Sequence, residues 1–176
     1  AAVAARPRKA AAAARSKWSG LTPGPQNVTP LSPVVFLRRS AEVYPDRVAV
    51  VHGERRITYA QLHERAKRLA SALAKRGVKR GDVVSAMLPN VPAMIDAHYG
   101  VPMLGAVLNT INTRLDAETV AYILEHGEAK VLITDPQFAS VVGPALKKLR
   151  RKVYVIDVAD ALYTGPDERL GAIEYE

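Results

Sequence analysis

The sequence predicts an α/β domain built on a mostly parallel sheet flanked by helices. Three observations carry that expectation. Short, largely apolar runs at 83–88, 106–108, 130–134 and 153–156 alternate with helix-length segments, and that alternation marks strand-helix-strand units. Helix boundary signals fall at the junctions, with Thr58 three residues before Gln61, and with Gly77 and Gly127 at the ends of amphipathic stretches. A chain of 176 residues, 48% hydrophobic and 24% charged, is long enough and ordinary enough in composition to bury one core.

Each element follows from local chemistry. Ser32 can cap a helix whose first position is Pro33, with Val34, Leu37 and Ala41 on one face, and Pro45 ends it. Residues 48–51 are β-branched and apolar, His52-Gly53-Glu54 supplies a turn, and 56–59 can return as the second arm of a hairpin. Thr58 and Gln61 form a capping box, after which Leu62, Ala66, Leu69, Ala70 and Leu73 recur at helical spacing until Gly77. The strand at 83–88 is then followed by a helix at 90–104, a strand at 106–108, a helix at 116–126, a strand at 130–134, a helix at 136–149 and a strand at 153–156. Right-handed crossovers are the expected connections.

The formal charge of +8 is unevenly placed. Residues 1–41 carry Arg6, Arg8, Lys9, Arg15, Lys17, Arg38 and Arg39 with no acid, whereas the other 18 basic side chains stand against all 17 acidic ones. A nearly neutral body lacks the electrostatic footprint for phosphate backbones, so no nucleic-acid partner is expected. The absence of cysteine excludes disulfides, thiolate zinc sites and cysteine nucleophiles. No apolar run approaches the roughly 20 residues of a membrane span.

Residues 1–30 read as a basic, Pro-rich leader or linker, expected to be flexible, and 31–176 as an incomplete α/β subdomain. The first 17 residues, rich in Ala and Arg, have the composition of an organellar transit peptide or of an unstructured, processed leader. The compartment expected is the cytoplasm, with peroxisome or mitochondrion as alternatives.

Motifs that handle phosphates are missing. Gly100 and Gly105 have the spacing of a Walker loop, but Ala106 stands where lysine is required, and no Gly-x-Gly pair occurs. There is no Gly-x-Ser-x-Gly elbow, and His63-Glu64 lacks the second histidine of a zinc-protease helix. His52, His63, His98 and His126 read as surface or structural side chains, His126 being favoured in a last helical turn. No catalytic, cofactor-binding or metal residue is assigned. Asn109, Asn112, Thr113 and Arg114 are the candidates for a site edge, because they follow a short strand near the carboxyl end where such sheets place ligands. The competing reading is that these side chains form local turns through bonds to the backbone.

Several stretches carry a family resemblance. Thr58-Tyr59-Ala60-Gln61-Leu62, with Gly77-Val78-Lys79-Arg80-Gly81-Asp82-Val83-Val84 after the helix, resembles the first block of adenylate-forming enzymes. Pro89-Asn90-Val91-Pro92-Ala93-Met94 and Gly105-Ala106-Val107-Leu108-Asn109-Thr110 resemble the next. Residues 31–135 and the close of the chain, Tyr163-Thr164-Gly165-Pro166-Asp167-Glu168-Arg169-Leu170-Gly171, look similar to medium-chain acyl-CoA synthetases, methylmercaptopropionate-CoA ligases and plant acyl-activating enzymes.

The resemblance implies the N-terminal subdomain of the adenylate-forming ligase fold. It also implies a two-step ligation in which a carboxylic acid and ATP give an acyl-adenylate and pyrophosphate, and coenzyme A then displaces AMP. The intact enzyme would use ATP, Mg2+ and coenzyme A, none of which is expected to bind these residues productively. The family's phosphate loop, adenylate pocket and mobile lysine are absent here, so the expected partner is a C-terminal remainder; a homo-oligomer stays open. The alternative function is a free-standing, non-catalytic binding or scaffolding module with the same fold.

Overall fold

A computed structural model describes residues 31–165, 168–171 and 173–176. The expected leader at 1–30 lies outside them. From Ser32 to Glu176 the chain forms one compact unit.

Helix α1 (Pro33–Val43) starts at Ser32, whose hydroxyl accepts from the Val34 amide at 3.2 Å. Strands β1 (Val48–His52) and β2 (Arg55–Thr58) form an antiparallel hairpin that is a sheet of its own. The turn is tighter than expected: Gly53 takes the left-handed conformation at φ 54°, so His52 belongs to the strand. Helix α2 (Tyr59–Lys75) opens on the expected capping box, with the Gln61 amide donating to Thr58 Oγ1 at 3.3 Å and the Thr58 amide donating to Gln61 Oε1 at 2.9 Å. All five residues of its apolar stripe are buried, and Gly77 lies beyond its end at φ 82°.

The remaining elements build the main sheet. In chain order they are β3 (Val83–Met87), α3 (Pro92–Met103), β4 (Val107–Thr110), α4 (Ala117–His126), β5 (Ala129–Thr134), a 3-10 turn (Pro136–Phe138), α5 (Ala139–Lys147), β6 (Tyr154–Asp157) and β7 (Ile173–Glu174). The strands lie in the order β4-β3-β5-β6-β7 and every neighbouring pair is parallel.

Two layers of side chains cover this sheet. On one face Leu69 and Leu73 of α2 and Ala97 and Val101 of α3 pack on Val84, Ala86, Val131, Ile133 and Ile156. On the other, Val120 and Leu124 of α4 and Val142 and Ala145 of α5 pack on Met87 and Leu132. The step from β3 to β4 runs one way along the sheet and the later steps run back. A constant hand of crossover therefore puts α3 on the face opposite α4 and α5. A third cluster, Leu37, Val50, Ile57, Leu62 and Ala66, joins α1 and the hairpin to the outer side of α2.

Two further local expectations are corrected by the structure. The strand expected at 106–108 begins one residue later and runs through Thr110, because hydrogen bonding to β3 continues to the Ile111 amide, which donates to the Ala86 carbonyl at 2.8 Å. The helix expected at 136–149 divides into a 3-10 turn, capped when Asp135 accepts from the Gln137 amide at 3.0 Å, and the shorter α5. Gly127 closes α4 as expected, as its C-cap at φ −75°, and the residue after it, Glu128, takes the left-handed conformation at φ 52°.

Helices α2 and α3 approach closely at Gly100. A methyl group on Gly100 would lie 2.8 Å from the Ala66 carbonyl oxygen and 2.9 Å from Leu69 Cδ2. Neither helix can yield without disturbing the sheet layer beneath. Gly100→Ala is expected to lower unfolding stability by about 1–3 kcal/mol by overpacking, and Leu73→Ala by about 2–5 kcal/mol by leaving a cavity. Urea unfolding followed by circular dichroism measures both, and a neutral Gly100→Ala would show that the helices separate freely.

Candidate functional site

The carboxyl ends of the parallel strands form one edge, and the direction of travel reverses between β3 and β5. That reversal is where open α/β sheets leave a crevice for ligands. Here the edge is stitched closed by hydrogen bonds. The Thr134 hydroxyl and the Asp135 amide both donate to the Met87 carbonyl, at 3.2 and 3.3 Å, and the Val158 amide donates to the Thr134 carbonyl at 2.8 Å. Ser85, Thr134, Asp135 and Asp157 are all buried. Asp157 turns its carboxylate to the chain after β6 and accepts from the Gly171 amide at 2.7 Å and the Leu170 amide at 3.3 Å, which brings β7 alongside β6.

A cleft of about 310 Å3 opens past the end of β6, between the hairpin and the first turn of α3. His52, Arg55, Pro92, Val158, Asp160 and Leu162 are among its lining residues. His52 Nε2 and Asp160 Oδ1 are 2.9 Å apart and both side chains are mostly buried. Burial pushes the Asp160 carboxyl up, but the bonds from His52 and the Leu162 amide outweigh it, and its pKa lies below the usual range. The lining holds no serine, threonine or cysteine, so the pair has no nucleophile to activate there. It ties the hairpin to the loop after β6.

Beside this cleft lies a charged cluster. Asp96, in the middle of α3, is fully buried, and its Oδ2 accepts from Arg65 Nε at 2.9 Å and from the Tyr175 hydroxyl at 3.1 Å. Arg65 also donates through Nη1 and Nη2 to the Glu176 carboxylate at 3.0 and 2.9 Å, and Arg55 Nη1 reaches the same carboxylate at 3.2 Å. Burial pushes the Asp96 carboxyl above its ordinary pKa, and the Arg65 guanidinium and the Tyr175 hydroxyl pull it only part of the way back. Burial and the neighbouring Asp96 charge raise the Tyr175 hydroxyl. Hydrogen bonding from Arg65 holds Glu176 below the usual carboxylate range.

The four candidate edge residues are not brought together. Asn109 lies within β4, its Nδ2 donating to Ser85 Oγ at 3.3 Å, and it lines a shallow depression with Val83, Val107, Tyr122 and Gly127 near the amino end of the sheet. Asn112, Thr113 and Arg114 lie past the carboxyl end of β4, where Asn112 Oδ1 accepts from the Arg114 amide at 2.9 Å in a local turn. His126 stacks on Tyr122 with ring centroids 5.3 Å apart, and His98 Nδ1 lies 2.7 Å from the Met94 carbonyl one turn back.

Sequence reasoning missed Arg65, Asp96, Tyr175, Glu176 and the His52–Asp160 pair. One signal for Asp96 was available: a single acid between Ile95 and Ala97 in an apolar helix has to find a cation. Among the described residues, no group of three or more His, Cys, Asp or Glu could hold a metal ion, and no helix is long and apolar enough to cross a membrane.

Residues 37–172 match the family model described as AMP-binding enzyme. The chain is 49% identical over 121 residues to a peroxisomal butyrate–CoA ligase of Arabidopsis thaliana, covering 69% of this chain and 21% of that one. It is 41% identical over 179 residues to a peroxisomal acetate/butyrate–CoA ligase of the same plant, covering 93% and 31%. A Mycobacterium tuberculosis fatty acyl CoA synthetase superposes with a TM-score of 0.65 at 33% identity, over 72% of this chain and 26% of that one. A benzoate CoA ligase from Burkholderia xenovorans superposes with a TM-score of 0.66 at 27% identity, over 70% and 25%. The chain thus spans about a fifth to a third of the length of these relatives.

Arg65→Leu is expected to cost about 3–5 kcal/mol at neutral pH, because it leaves the Asp96 carboxyl buried without its cation. In that variant the folded pKa of Asp96 rises further above its unfolded value, so ionising Asp96 opposes folding. The deficit therefore shrinks as the pH falls from 7 towards the ordinary carboxylate range. Urea unfolding of parent and variant at about pH 7 and about pH 4.5 measures it; equal deficits would remove the charge as the cause.

Proposed function

The chain belongs to the AMP-binding enzyme family, and on that premise we propose that it is the N-terminal α/β subdomain of an ATP-dependent acyl-CoA synthetase. The whole enzyme would join a carboxylic acid to coenzyme A through an acyl-adenylate, releasing pyrophosphate and AMP. The observation that carries this reading is the continuous family match over 37–172, on a parallel sheet that superposes on CoA ligases.

These residues frame the reaction and do not perform it. Among the described residues no acidic cluster could hold Mg2+, and the sequence has no glycine-rich loop of the kind that cradles a triphosphate. No catalytic step is therefore assigned to a side chain of this chain. Asn112, Thr113 and Arg114 brace the site edge from the end of β4, whereas Asn109 fixes β4 to β3 away from that edge. Phe36, Val43 and Tyr44 from α1 and its end, with Val48 and Val51 from β1, are exposed, and they offer apolar surface for the remaining chain to cover. The acid is a short or aromatic carboxylate, the class that the names of the butyrate and benzoate ligases carry. The compartment proposed is the cytoplasm, with the peroxisome or mitochondrion as alternatives, and several relatives' names carry the peroxisome.

Carboxylate-dependent ATP–pyrophosphate exchange tests the division of labour. The 176-residue chain alone is expected to show no exchange with butyrate or benzoate, and a chain extended through the open reading frame beyond Glu176 is expected to show it. Robust exchange by the short chain would place the machinery within these residues. An immediate stop codon after Glu176 would favour the non-catalytic module.

A further inference from the structure

The outer surface of α2 and the hairpin carries a feature that the ligase reading does not use. Arg55, Arg56, Arg65 and Arg68, with Ile57, Gln61 and Glu64, line a concavity of about 290 Å3. Four guanidinium groups and one carboxylate meet there, in a folded body whose charges otherwise nearly cancel.

The four are not equally engaged. Arg65 is held from behind by Asp96 and Glu176, and it is mostly buried. Arg55 shares Glu176 with it at 3.2 Å. Arg56 donates to the carbonyls of Gly53 and Arg55 and has no carboxylate partner among the described residues. Arg68 meets Glu64 only through Nε, at 3.3 Å, and its side chain is 79% exposed. Glu64 also pairs with Lys67 at 2.7 Å, so its charge is already shared.

Geometry on the same wall shows which chemistry suits it. The Glu176 carboxylate is bound in a fork, both oxygens on Arg65 and one also on Arg55. A planar oxyanion is thus already seated between two of these guanidinium groups. Arg65 spends its donors on Asp96 and Glu176, while Arg55, Arg56 and Arg68 are more exposed and leave positive charge facing solvent in a concave surface. Guanidinium groups recognise phosphate oxygens through paired hydrogen bonds, and a group with two or more negative charges gains most where several of them converge.

We propose that this arginine-lined concavity is a binding site for a phosphate group, recognised by Arg56 and Arg68 at the rim and by Arg55 and Arg65 on the wall that Glu176 holds in place. The site lies on the side of these two arginines away from Glu176, and it needs no metal and no glycine-rich loop. It extends beyond the ligase reading, since binding here requires neither adenylation nor thioester formation.

Titration of the 15N-labelled 176-residue chain by nuclear magnetic resonance, without divalent ions, tests it with three probes: inorganic pyrophosphate, ATP and coenzyme A. Saturable shifts are expected at the backbone amides of 55–57 and 64–68, with affinity that weakens steeply as salt is raised, because the rim is open to screening. Arg56→Gln combined with Arg68→Gln is expected to weaken pyrophosphate binding about tenfold, the loss of roughly one strong ionic contact. Both residues are exposed, and a circular dichroism melt confirms that the fold is kept. Glu64→Gln removes the one carboxylate of the lining and is expected to tighten binding about threefold. Equal affinities for pyrophosphate and coenzyme A assign the site to phosphate alone; tighter coenzyme A assigns it to phosphate on that carrier. Absence of saturable shifts, or full affinity in the Arg56/Arg68 double variant, overturns the site. Neither result bears on ATP–pyrophosphate exchange, so this proposal and the ligase reading fail independently.

Discussion

A carboxylate shut away from solvent must be balanced inside the protein, and Asp96 makes that demand at the centre of α3. Arg65 meets it from α2, and the pair registers the two helices where Gly100 lets their backbones approach. The same guanidinium holds Glu176, and the same carboxylate takes the Tyr175 hydroxyl, so the chain after β7 is fastened to both helices. Strong geometry does not make such a cluster a source of net stability, because desolvating its charges costs about as much as their attraction returns. What it does supply is register: misplacing either helix would strand a buried charge.

With α2 and α3 fixed, one face of the sheet is covered from β4 to β6, and α4 and α5 complete the other. The parallel strands then end together. Polar side chains at that edge, Thr134, Asp135 and Asp157, spend their hydrogen bonds on the backbone of neighbouring segments. A rigid frame results, carrying a cleft beside it and an arginine-lined surface behind it. On the ligase reading proposed above, such a frame would support the positioning of two anions for reaction, which tolerates little movement.

How far this was legible in the sequence depended on the range of the interaction. The Thr58–Gln61 box and the buried stripe of α2 were legible because both act within one or a few helical turns. The alternation of strands and helices was legible for the same reason. β7 was not: two residues with no periodicity become a strand only because Ile156 and Asp157 of β6 pair with it, and the Asp157 carboxylate and carbonyl accept from a segment 13 or more residues later. The site candidates show the same division. Asn112 acts within its own turn, as an asparagine in a loop does, whereas Asn109 joins a β-ladder whose far side is 24 residues away.

By itself, then, the sequence determined the order and type of the main elements, the even charge of the body and the absence of phosphate-loop chemistry, because propensity, caps and composition are properties of short segments. Only the tertiary structure decided that Asp96 would meet Arg65, 31 residues away, and Tyr175, 79 residues away, or that four arginines from a strand and a helix would share one concave wall. Partners at such distances are chosen by how helices pack on a sheet, and that packing is set by the whole core together.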